Sequence, residues 1–404
     1  MPSEHARHWT LDPSVDHLNH GSFGATPRVV LEAQQVWRDR MEAEPMRFMV
    51  RELEPAIDHS KAVLGDFVGA DPQDLAFVPN ATTGVNAVLS SLRFEPGDEL
   101  LTIDHEYNAV RNAIAHVAER NGARVVTAAV PFPIGSADEV VEAVLSSVSQ
   151  RTRLAVLDHI TSATALVLPL ERLVGELAER GIDTLVDGAH APGMLDLRVA
   201  ELGAAYYAGN LHKWVCAPKG AGFLWVRRDR QEIVHPLTIS HGANSQRVDR
   251  SRFRLEFDWT GTADPTAWLS VPDAIDFGKR LLEGGWPALR GRNRALVLEA
   301  RDLVSAAVGE KAAAPDAMIG CMASIPLPWE RTPGVVQGVD LYGDPVHGAL
   351  LTAGLQTMVT PWPQRPDAGP WRRLIRLSAA AYNDRAQFER LAAILPGVVA
   401  AAAA

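Results

Sequence analysis

The sequence predicts an α/β protein with a large, doubly wound, mainly parallel sheet domain, followed by a smaller α+β domain at the C-terminal end. Between Leu75 and Val226, short apolar runs alternate with amphipathic stretches, which is the pattern of strands joined by crossover helices. From Ala317 onward, three further strand patterns and two helix patterns follow. A chain of 404 residues is long enough for two such units.

The individual elements follow from local periodicity. Seven runs poor in polar residues predict the strands of the large sheet, at residues 75–78, 99–103, 124–128, 153–157, 183–186, 204–207 and 222–226. Apolar residues at three-to-four spacing predict the crossover helices at residues 84–92, 107–120, 137–148 and 170–180. Two helices are predicted before the sheet, at 29–40 and 52–67, separated by a break at 44–48.

After the sheet, residues 231–257 have mixed polarity, and residues 259–265 predict a loop that leads into a helix. Helices are predicted at 266–282 and 286–308. The smaller domain then has predicted strands at 318–325, 355–359 and 373–378, and predicted helices at 345–352 and 384–394. Pro396-Gly397 is expected to break the final apolar stretch, and residues 400–404 are expected to fray.

Composition excludes several classes of protein. Hydrophobic residues make up 47% and charged residues 22%, which is typical of a globular protein and excludes disordered, collagenous and disulfide-scaffold chains. Asp and Glu number 49 against 39 Lys and Arg, without a basic stripe, so neither a nucleic acid nor a membrane partner is expected. Two cysteines, no targeting pattern near Met1 and no membrane-length apolar run predict a cytoplasmic protein without a metal site.

In an open parallel sheet, ligands bind at the carboxyl ends of the strands, so the residues that follow each strand are the candidates for chemistry. Residues 79–84 form a turn of small and hydroxyl residues that opens a helix, which suits a phosphate bound by free N–H groups. The alternative is a plain helix cap by Thr82 or Thr83.

Two charged residues follow other apolar strands. Asp187 comes directly after residues 183–186, and Lys213 lies between His212 and Trp214 after the next strand. A buried carboxylate needs a cationic partner, and burial favours the neutral amine that forms Schiff bases. A salt-bridged aspartate and a lysine that extends to solvent are the alternatives. Together, a phosphate site, a carboxylate for a ring nitrogen and a lysine for an aldehyde predict pyridoxal phosphate.

The chain resembles the fold-type I pyridoxal-phosphate enzymes of the aminotransferase class V group, within it the isopenicillin N epimerase-like branch. The resemblance covers almost the whole chain. It is carried by residues 18–24 (LNHGSFG), 80–86 (NATTGVN), 104–108 (DHEYN), 187–190 (DGAH), 211–214 (LHKW), 261–262 (GT), 376–378 (RLS) and 382–383 (YN).

The resemblance implies a set of cofactor contacts, of which Lys213, Asp187 and His105 are the catalytic ones. They are Lys213 for the aldehyde, Asp187 for the ring nitrogen, Thr82, Thr83 and His212 for the phosphate, His105 for the ring face, His190 for the ring hydroxyl, and Thr262 for the partner subunit's phosphate. Tyr107 offers a second aromatic ring beside His105. The alternatives are core histidines at His105 and His190 and a plain turn at Thr262. A homodimer with shared sites follows from this assignment.

The resemblance also implies an amino-acid substrate. Arg376 is expected to bind its α-carboxylate, with a surface arginine as the alternative. Asn19, His20 and Ser22 match the segment that folds over the site, so residues 1–24 are expected to form that segment, residues 25–282 the large domain and residues 283–404 the small domain. The substrate side chain is expected to meet a wall built from residues 19–23, residues 47–48 and the Trp362 loop at 360–366, and Tyr107 is also expected to contact the substrate.

The reaction expected from the resemblance is cleavage of the C–S bond of an S-substituted L-cysteine conjugate in specialised metabolism such as antibiotic biosynthesis. Residues 355–374 contain no cysteine, which argues against desulfuration through a persulfide. Epimerisation is the first alternative. It ranks second because it needs a second acid on the other face of Cα, and the sequence offers only His105, already assigned to stacking, and Tyr107 for that role. Decarboxylation, deamination and transamination also remain open. A non-catalytic pyridoxal-phosphate regulator would need a DNA-binding module, and a nicotinamide or nucleotide enzyme would need glycine motifs that the sequence lacks.

Overall fold

The computed structural model describes residues 3–331, 343–364 and 371–403. Within them, twelve strands are formed. In chain order they are β1 (Asp16–His17), β2 (Leu75–Val78), β3 (Glu99–Ile103), β4 (Arg124–Ala128), β5 (Thr152–Asp158), β6 (Asp183–Gly188), β7 (Tyr206–Asn210), β8 (Gly222–Val226), β9 (Met322–Arg331), β10 (Leu355–Gln356), β11 (Met358–Trp362) and β12 (Trp371–Ser378).

The α-helices alternate with the strands in the first part of the chain. They are α1 (His20–Phe23), α2 (Arg28–Ala43), α3 (Pro45–Arg47), α4 (Leu53–Val68), α5 (Ala81–Ser91), α6 (Asn108–Asn121), α7 (Ala137–Ser146), α8 (Leu170–Glu179), α9 (Arg252–Phe257), α10 (Thr266–Leu269), α11 (Val271–Leu281), α12 (Gly285–Val308), α13 (Pro345–Thr352) and α14 (Arg385–Ala403). Short 3₁₀ helices lie at Glu4–His8, Pro72–Asp74, Arg228–Ile233, His241–Asn244 and Asp316–Met318, and a π-helix at Phe48–Glu52.

The large sheet has seven strands in the order β2-β8-β7-β6-β5-β3-β4. All neighbouring pairs are parallel except the two that involve β8. Alternate residues of each central strand face two separate apolar cores, for example Leu157 and Val186 on one face, and Val156 and Leu185 on the other. Burial on both faces explains why these strands are nearly free of polar residues. The prediction of a doubly wound α/β fold is confirmed.

The C-terminal part of the chain forms a smaller three-stranded antiparallel sheet in the order β11-β12-β9. A two-stranded parallel pair, β1 with β10, attaches the N-terminal segment beside it. The helices α12 and α14 pack on this sheet, and Leu391, Leu395 and Val399 of α14 are buried in the main core. The domain boundaries at 24/25 and 282/283 stay predictions.

Several local predictions need correction. The helix predicted from residue 84 begins at Ala81, because Asn80 caps it. The stretch 44–48 is mostly helical, within α3 and the π-helix, rather than a break. Pro396 does not end the last helix, which continues to Ala403, because the residues around it are held by core packing. Ala404 lies outside the described residues. Among the described helices, none combines the length and apolar content needed to cross a membrane.

Candidate active site

The turn between β2 and α5 presents a helix N-terminus at the carboxyl edge of the large sheet. The Asn80 side chain accepts hydrogen bonds from the Thr83 N–H at 2.9 Å and the Thr83 hydroxyl at 3.1 Å. The Ala81 N–H donates to the Asn210 side-chain oxygen at 2.8 Å. Neither the N–H nor the hydroxyl of Thr82 has a hydrogen-bond partner among the described residues. Asn80 is therefore the cap, and Thr82 retains two donors for an anion.

Lys213 lies in the loop after β7, with its amine 3.1 Å from Nε2 of His190. Burial lowers the pKa of Lys213 to about 7, and the nearby Arg376 charge adds to this effect while Asp187 opposes it. A substantial fraction of the amine is therefore neutral near pH 7. That is the form that adds to an aldehyde or takes a proton.

His190 is buried and neutral. Burial and the Lys213 charge hold the pKa of His190 well below its usual range. Since Nε2 accepts from Lys213, the hydrogen is assigned to Nδ1, which is buried and has no hydrogen-bond partner in the described part of the chain. The site therefore contains an unused N–H donor beside the lysine.

Asp187 ends β6, and its Oδ1 accepts the Ala189 N–H at 2.9 Å. Burial raises the pKa of Asp187, whereas the Ala189 N–H and the Lys213 ammonium oppose the shift. The carboxylate is thus held in place by a turn of its own chain. It lies within electrostatic reach of the lysine, as the sequence predicts.

His212 precedes the lysine, and its Nδ1–H donates to the Ala221 carbonyl at 3.2 Å. Burial lowers the pKa of His212 to about 4, so the ring is neutral at pH 7. In this tautomer Nε2 carries no hydrogen. His212 also helps to hold the Lys213 loop through its bond to Ala221, and its expected assistance in phosphate binding stays a prediction.

His105 follows β3 and is completely buried. Its Nε2–H donates to the Val130 carbonyl at 2.9 Å, and its Nδ1 accepts the Thr164 hydroxyl at 2.7 Å. The Trp362 ring packs edge-on against it, with the ring centroids 4.4 Å apart. Both ring nitrogens are thus hydrogen-bonded within the protein, and the catalytic role of His105 and its stacking on a ring stay predictions.

Arg376 on β12 is buried and reaches the N-terminal segment. One of its terminal nitrogens donates to the Ser162 carbonyl at 2.8 Å. The other donates to the Asn19 side-chain oxygen and to the Ser22 hydroxyl, both at 2.9 Å. The structure therefore brings together three of the predicted substrate residues. A surface role for Arg376 is excluded by its 1% exposure.

His20 is also in the N-terminal segment but has a different role. Its Nδ1 bonds to the Tyr382 hydroxyl at 2.8 Å, and its Nε2 bonds to the Lys213 carbonyl at 2.9 Å. Through these two bonds His20 connects the N-terminal segment to the lysine loop, and its expected contact with substrate stays a prediction. The N-terminal segment also approaches the lysine loop closely at Gly24. Its φ is +69°, and a Cβ there would lie 2.0 Å from the His212 carbonyl oxygen, so glycine is required at this position.

The remaining predicted residues lie farther out. Tyr107 is the N-cap residue of α6 and is 38% exposed. Thr262 is exposed in the segment between α9 and α10. Phe48 is buried against Trp37, so it cannot form the expected pocket wall within this chain. Of the expected loop 360–366, residues 365 and 366 lie outside the described residues.

Sequence reasoning missed two buried carboxyl groups, Glu106 and Asp158, which meet Asp187 at the end of the sheet. Asp158 is the last residue of β5 and directly follows the predicted strand at 153–157, so the rule that chemistry lies at strand ends could have found it. Glu106 lies inside the quoted 104–108 motif, but its neighbours in sequence give no sign that it is buried.

Comparison with known proteins adds relatives over nearly the full length. The family model for class-V aminotransferases matches residues 22–295. Isopenicillin N epimerase from Amycolatopsis lactamdurans is 39% identical over 400 residues, covering 96% of each chain. The probable chloroplastic L-cysteine desulfhydrase from Arabidopsis thaliana is 30% identical over 422 residues, covering 99% of this chain and 85% of that one.

Among solved structures, the cystine C–S lyase C-DES, in complex with its product cysteine persulfide, superimposes with a TM-score of 0.77. The match has 20% sequence identity and covers 95% of this chain and 98% of that one. The cysteine desulfurase CsdA from Escherichia coli gives a TM-score of 0.75 at 18% identity, with 98% of each chain covered. These likenesses establish the shared fold.

Proposed function

Because the chain belongs to the aminotransferase class-V family, we propose that it is a pyridoxal-phosphate enzyme that acts at Cα and Cβ of an L-amino acid. The reaction we propose is cleavage of the C–S bond of an S-substituted L-cysteine conjugate, in specialised metabolism. When bound, pyridoxal phosphate withdraws electrons from the Cα of an amino acid joined to its aldehyde carbon.

The described residues fit this cofactor. Thr82 offers an N–H and a hydroxyl at the N-terminus of α5 for the phosphate. The buried Nδ1–H of His190 matches the ring hydroxyl oxygen, which accepts hydrogen bonds. Asp187 matches the protonated ring nitrogen, and the Lys213 amine, with its pKa of about 7, matches the aldehyde. Each group of the cofactor thus has a residue of matching chemistry.

The observation that carries the C–S lyase proposal is the distribution of proton carriers. Elimination needs one base, and Lys213 supplies it once the substrate amine has displaced it. Epimerisation needs a second acid on the opposite face of Cα. The two nitrogens of His105, the expected residue on that side, are bonded to Thr164 and Val130, which leaves neither of them free to face the substrate.

The residues would act in sequence. Arg376 binds the α-carboxylate and so sets the direction of the substrate side chain. The Lys213 amine takes the Cα proton while Asp187 keeps the ring nitrogen protonated. The C–S bond then breaks with its electron pair on sulfur, which receives the proton from the Lys213 ammonium and leaves as a thiol. The remaining three-carbon fragment takes up water and ends as pyruvate and ammonia.

The second candidate is an amino-acid epimerase. It is favoured by the 39% identity to isopenicillin N epimerase, which exceeds the 30% identity to the desulfhydrase. Tyr107, which is the N-cap residue of α6 and is 38% exposed, would then be the second acid. A Tyr107→Phe variant separates the two reactions, because it should abolish inversion but leave elimination nearly intact.

We also propose a homodimer in which Thr262 reaches the phosphate in the partner subunit. Thr262 is exposed, and apolar side chains nearby in sequence and in the α3 region are unusually open to solvent: Val248 is 97% exposed, Met46 76% and Val50 60%. A partner subunit would cover such side chains. Light scattering on the purified protein should give the mass of a dimer.

The test of the reaction is incubation with S-alkyl and bulkier S-substituted L-cysteines. Thiol, pyruvate, ammonia and uptake of deuterium at Cα are measured together, with Lys213→Ala as the inactive control. We expect thiol and pyruvate in equal amounts. If the Cα hydrogen exchanges and the centre inverts while neither thiol nor pyruvate forms, the lyase proposal fails and the epimerase replaces it.

A further inference from the structure

Three buried carboxyl groups meet at the carboxyl edge of the large sheet. One oxygen each of Glu106, Asp158 and Asp187 lies within 4.8 Å of the other two. The side chains are 0%, 2% and 3% exposed. Asp158 and Asp187 are direct partners in the pairing of β5 with β6, so both leave the same face of the sheet. The fold itself therefore forces these groups together.

Few positive charges face this carboxyl cluster. The groups that act on it are Arg111 of α6, Lys213, the N–H groups of Tyr107 and Ala189, the Thr102 hydroxyl of β3, and the Tyr207 phenol of β7. Two cations thus face three acids, and Arg111 also bonds to the Asn108 side chain at 3.1 Å. Three full negative charges at this spacing would repel one another strongly.

The hydrogen bonds differ among the three acids. Glu106 accepts the Tyr107 N–H at 3.0 Å, and Asp187 accepts the Ala189 N–H at 2.9 Å. Oδ2 of Asp158 is buried and has no hydrogen-bond partner among the described residues. An ionised oxygen in that position would lack a donor, whereas a protonated one is itself a donor. Burial and neighbouring carboxylates raise the pKa of both Asp158 and Glu106 well above the usual range, and the hydrogen bond between the two side chains adds to the shift at Asp158 but opposes it at Glu106.

We propose that Asp158 is protonated at neutral pH and donates its hydrogen to the Glu106 carboxylate. We propose further that this pair positions the charges around Asp187: the proton stays on Asp158, so Asp187 remains ionised toward the ring nitrogen of the cofactor, and the Glu106 carboxylate favours the protonated form of that nitrogen. The second part rests on the proposed function. The proton on Asp158 is a property of this chain alone, and it can be tested without cofactor.

The two members of the pair have unequal roles, and this makes the proposal sharp. Asp158 is neutral, so Asp158→Asn keeps its charge and a hydrogen-bond donor. Glu106 carries the negative charge that supports the proton on the ring nitrogen, so Glu106→Gln removes that charge. A purely structural role would make both isosteric variants equally harmful or equally harmless.

The first test is infrared spectroscopy of the full-length protein after removal of cofactor. We expect wild type at neutral pH to show the C=O stretch of a protonated carboxyl group, and Asp158→Asn to lack it. Asp98→Asn is the matched control, because Asp98 is also buried but is paired with Arg153 at 3.0 Å. That control should keep the band. Absence of the band in wild type, or its survival in Asp158→Asn, overturns the first part of the proposal.

The second test uses the protein with cofactor. For Glu106→Gln we expect the pH midpoint of the visible absorbance to shift down by about one unit and kcat to fall about tenfold with KM nearly unchanged. For Asp158→Asn we expect the midpoint to stay within about half a pH unit and kcat within about threefold of wild type. Equal losses in the two variants, or an unshifted midpoint in Glu106→Gln, overturn the positioning role.

Failure of the proposed function would look different. A protein without visible absorbance after addition of pyridoxal phosphate would refute the cofactor assignment, yet the infrared result would still decide the state of Asp158. A bound cation is the alternative to a proton on Asp158, because it would also neutralise the charge of the three acids. Calorimetric titration of wild type with Mg²⁺ and Mn²⁺ tests this alternative. Tight binding by either ion, lost in Asp158→Asn, would overturn the proposal.

Discussion

Replacing Arg376 with lysine isolates the contribution of the planar guanidinium to substrate binding. The side chain is 1% exposed and is held by the Ser162 carbonyl, the Asn19 side chain and the Ser22 hydroxyl, at 2.8 to 2.9 Å. Lysine keeps the charge but cannot make two parallel bonds to a carboxylate. The change therefore removes the paired hydrogen bonds of the guanidinium while keeping the positive charge.

The size of the effect follows from the bonds that are lost. A hydrogen bond to a charged partner contributes about 1.5–3 kcal/mol, so loss of one of two such bonds should lower kcat/KM roughly 10- to 150-fold. Arg372, on the same strand, has a side chain that is 38% exposed. The matched control Arg372→Lys should therefore change kcat/KM by less than about twofold.

The assay compares a free amino-acid substrate with its methyl ester. Wild type should strongly prefer the free acid, and Arg376→Lys should lose most of that preference by losing rate on the acid alone. The reasoning is refuted if Arg376→Lys retains its kcat/KM for the acid, or if rates on acid and ester fall equally. An equal fall would mean that the variant disturbs the site as a whole.

Four further predictions concern the cofactor. Lys213→Ala should fold but lose the visible absorbance of covalently held cofactor, and a borohydride-reducible bond of normal intensity would contradict the assignment. Asp187→Asn should retain cofactor in equilibrium dialysis but lose about two orders of magnitude or more in kcat, because an amide cannot hold the ring nitrogen protonated; near-normal turnover would argue against this role. The rate at which cofactor joins the stripped protein should rise with pH through about 7 and then level off, because the pKa of Lys213 is lowered and only its neutral amine reacts; stopped-flow absorbance checks this, and a rate that falls with pH would count against it. Thr262→Ala should weaken cofactor affinity in dialysis without changing the dimer mass, whereas tight binding by a monomer would exclude a shared site.

Much of the large sheet was predictable because its strands are buried on both faces. The predicted bounds 99–103, 124–128 and 222–226 agree with β3, β4 and β8 to the residue. In such strands the continuous apolar run ends where the turn residues begin, so the apolar pattern determines the bounds of the strand closely. The rule that ligands bind at the carboxyl ends of parallel strands brought Lys213 and Asp187 into one predicted site, and the family resemblance then gave each a role.

The misses have physical causes that lie outside local sequence. Asn80 caps α5 with the help of its extended backbone, which moves the start of the helix three residues ahead of the apolar pattern. Pro396 is tolerated inside α14 because Leu395 and Val399 are anchored in the core. The states of His20 and His105 depend on partners such as Tyr382 and Val130, and no local pattern reveals those contacts.

The N-terminal segment has a consequence for how the protein is made. Asn19 meets Arg376 across 357 residues of sequence, and β1 pairs with β10. During synthesis, residues 16–24 therefore leave the ribosome long before their partners exist. The substrate side of the site can close only after β12 has emerged, whereas the β2–α5 phosphate turn and the Lys213 loop can form much earlier. A nascent chain arrested before β12 would thus contain the β2–α5 turn and the Lys213 loop but lack the Arg376 guanidinium.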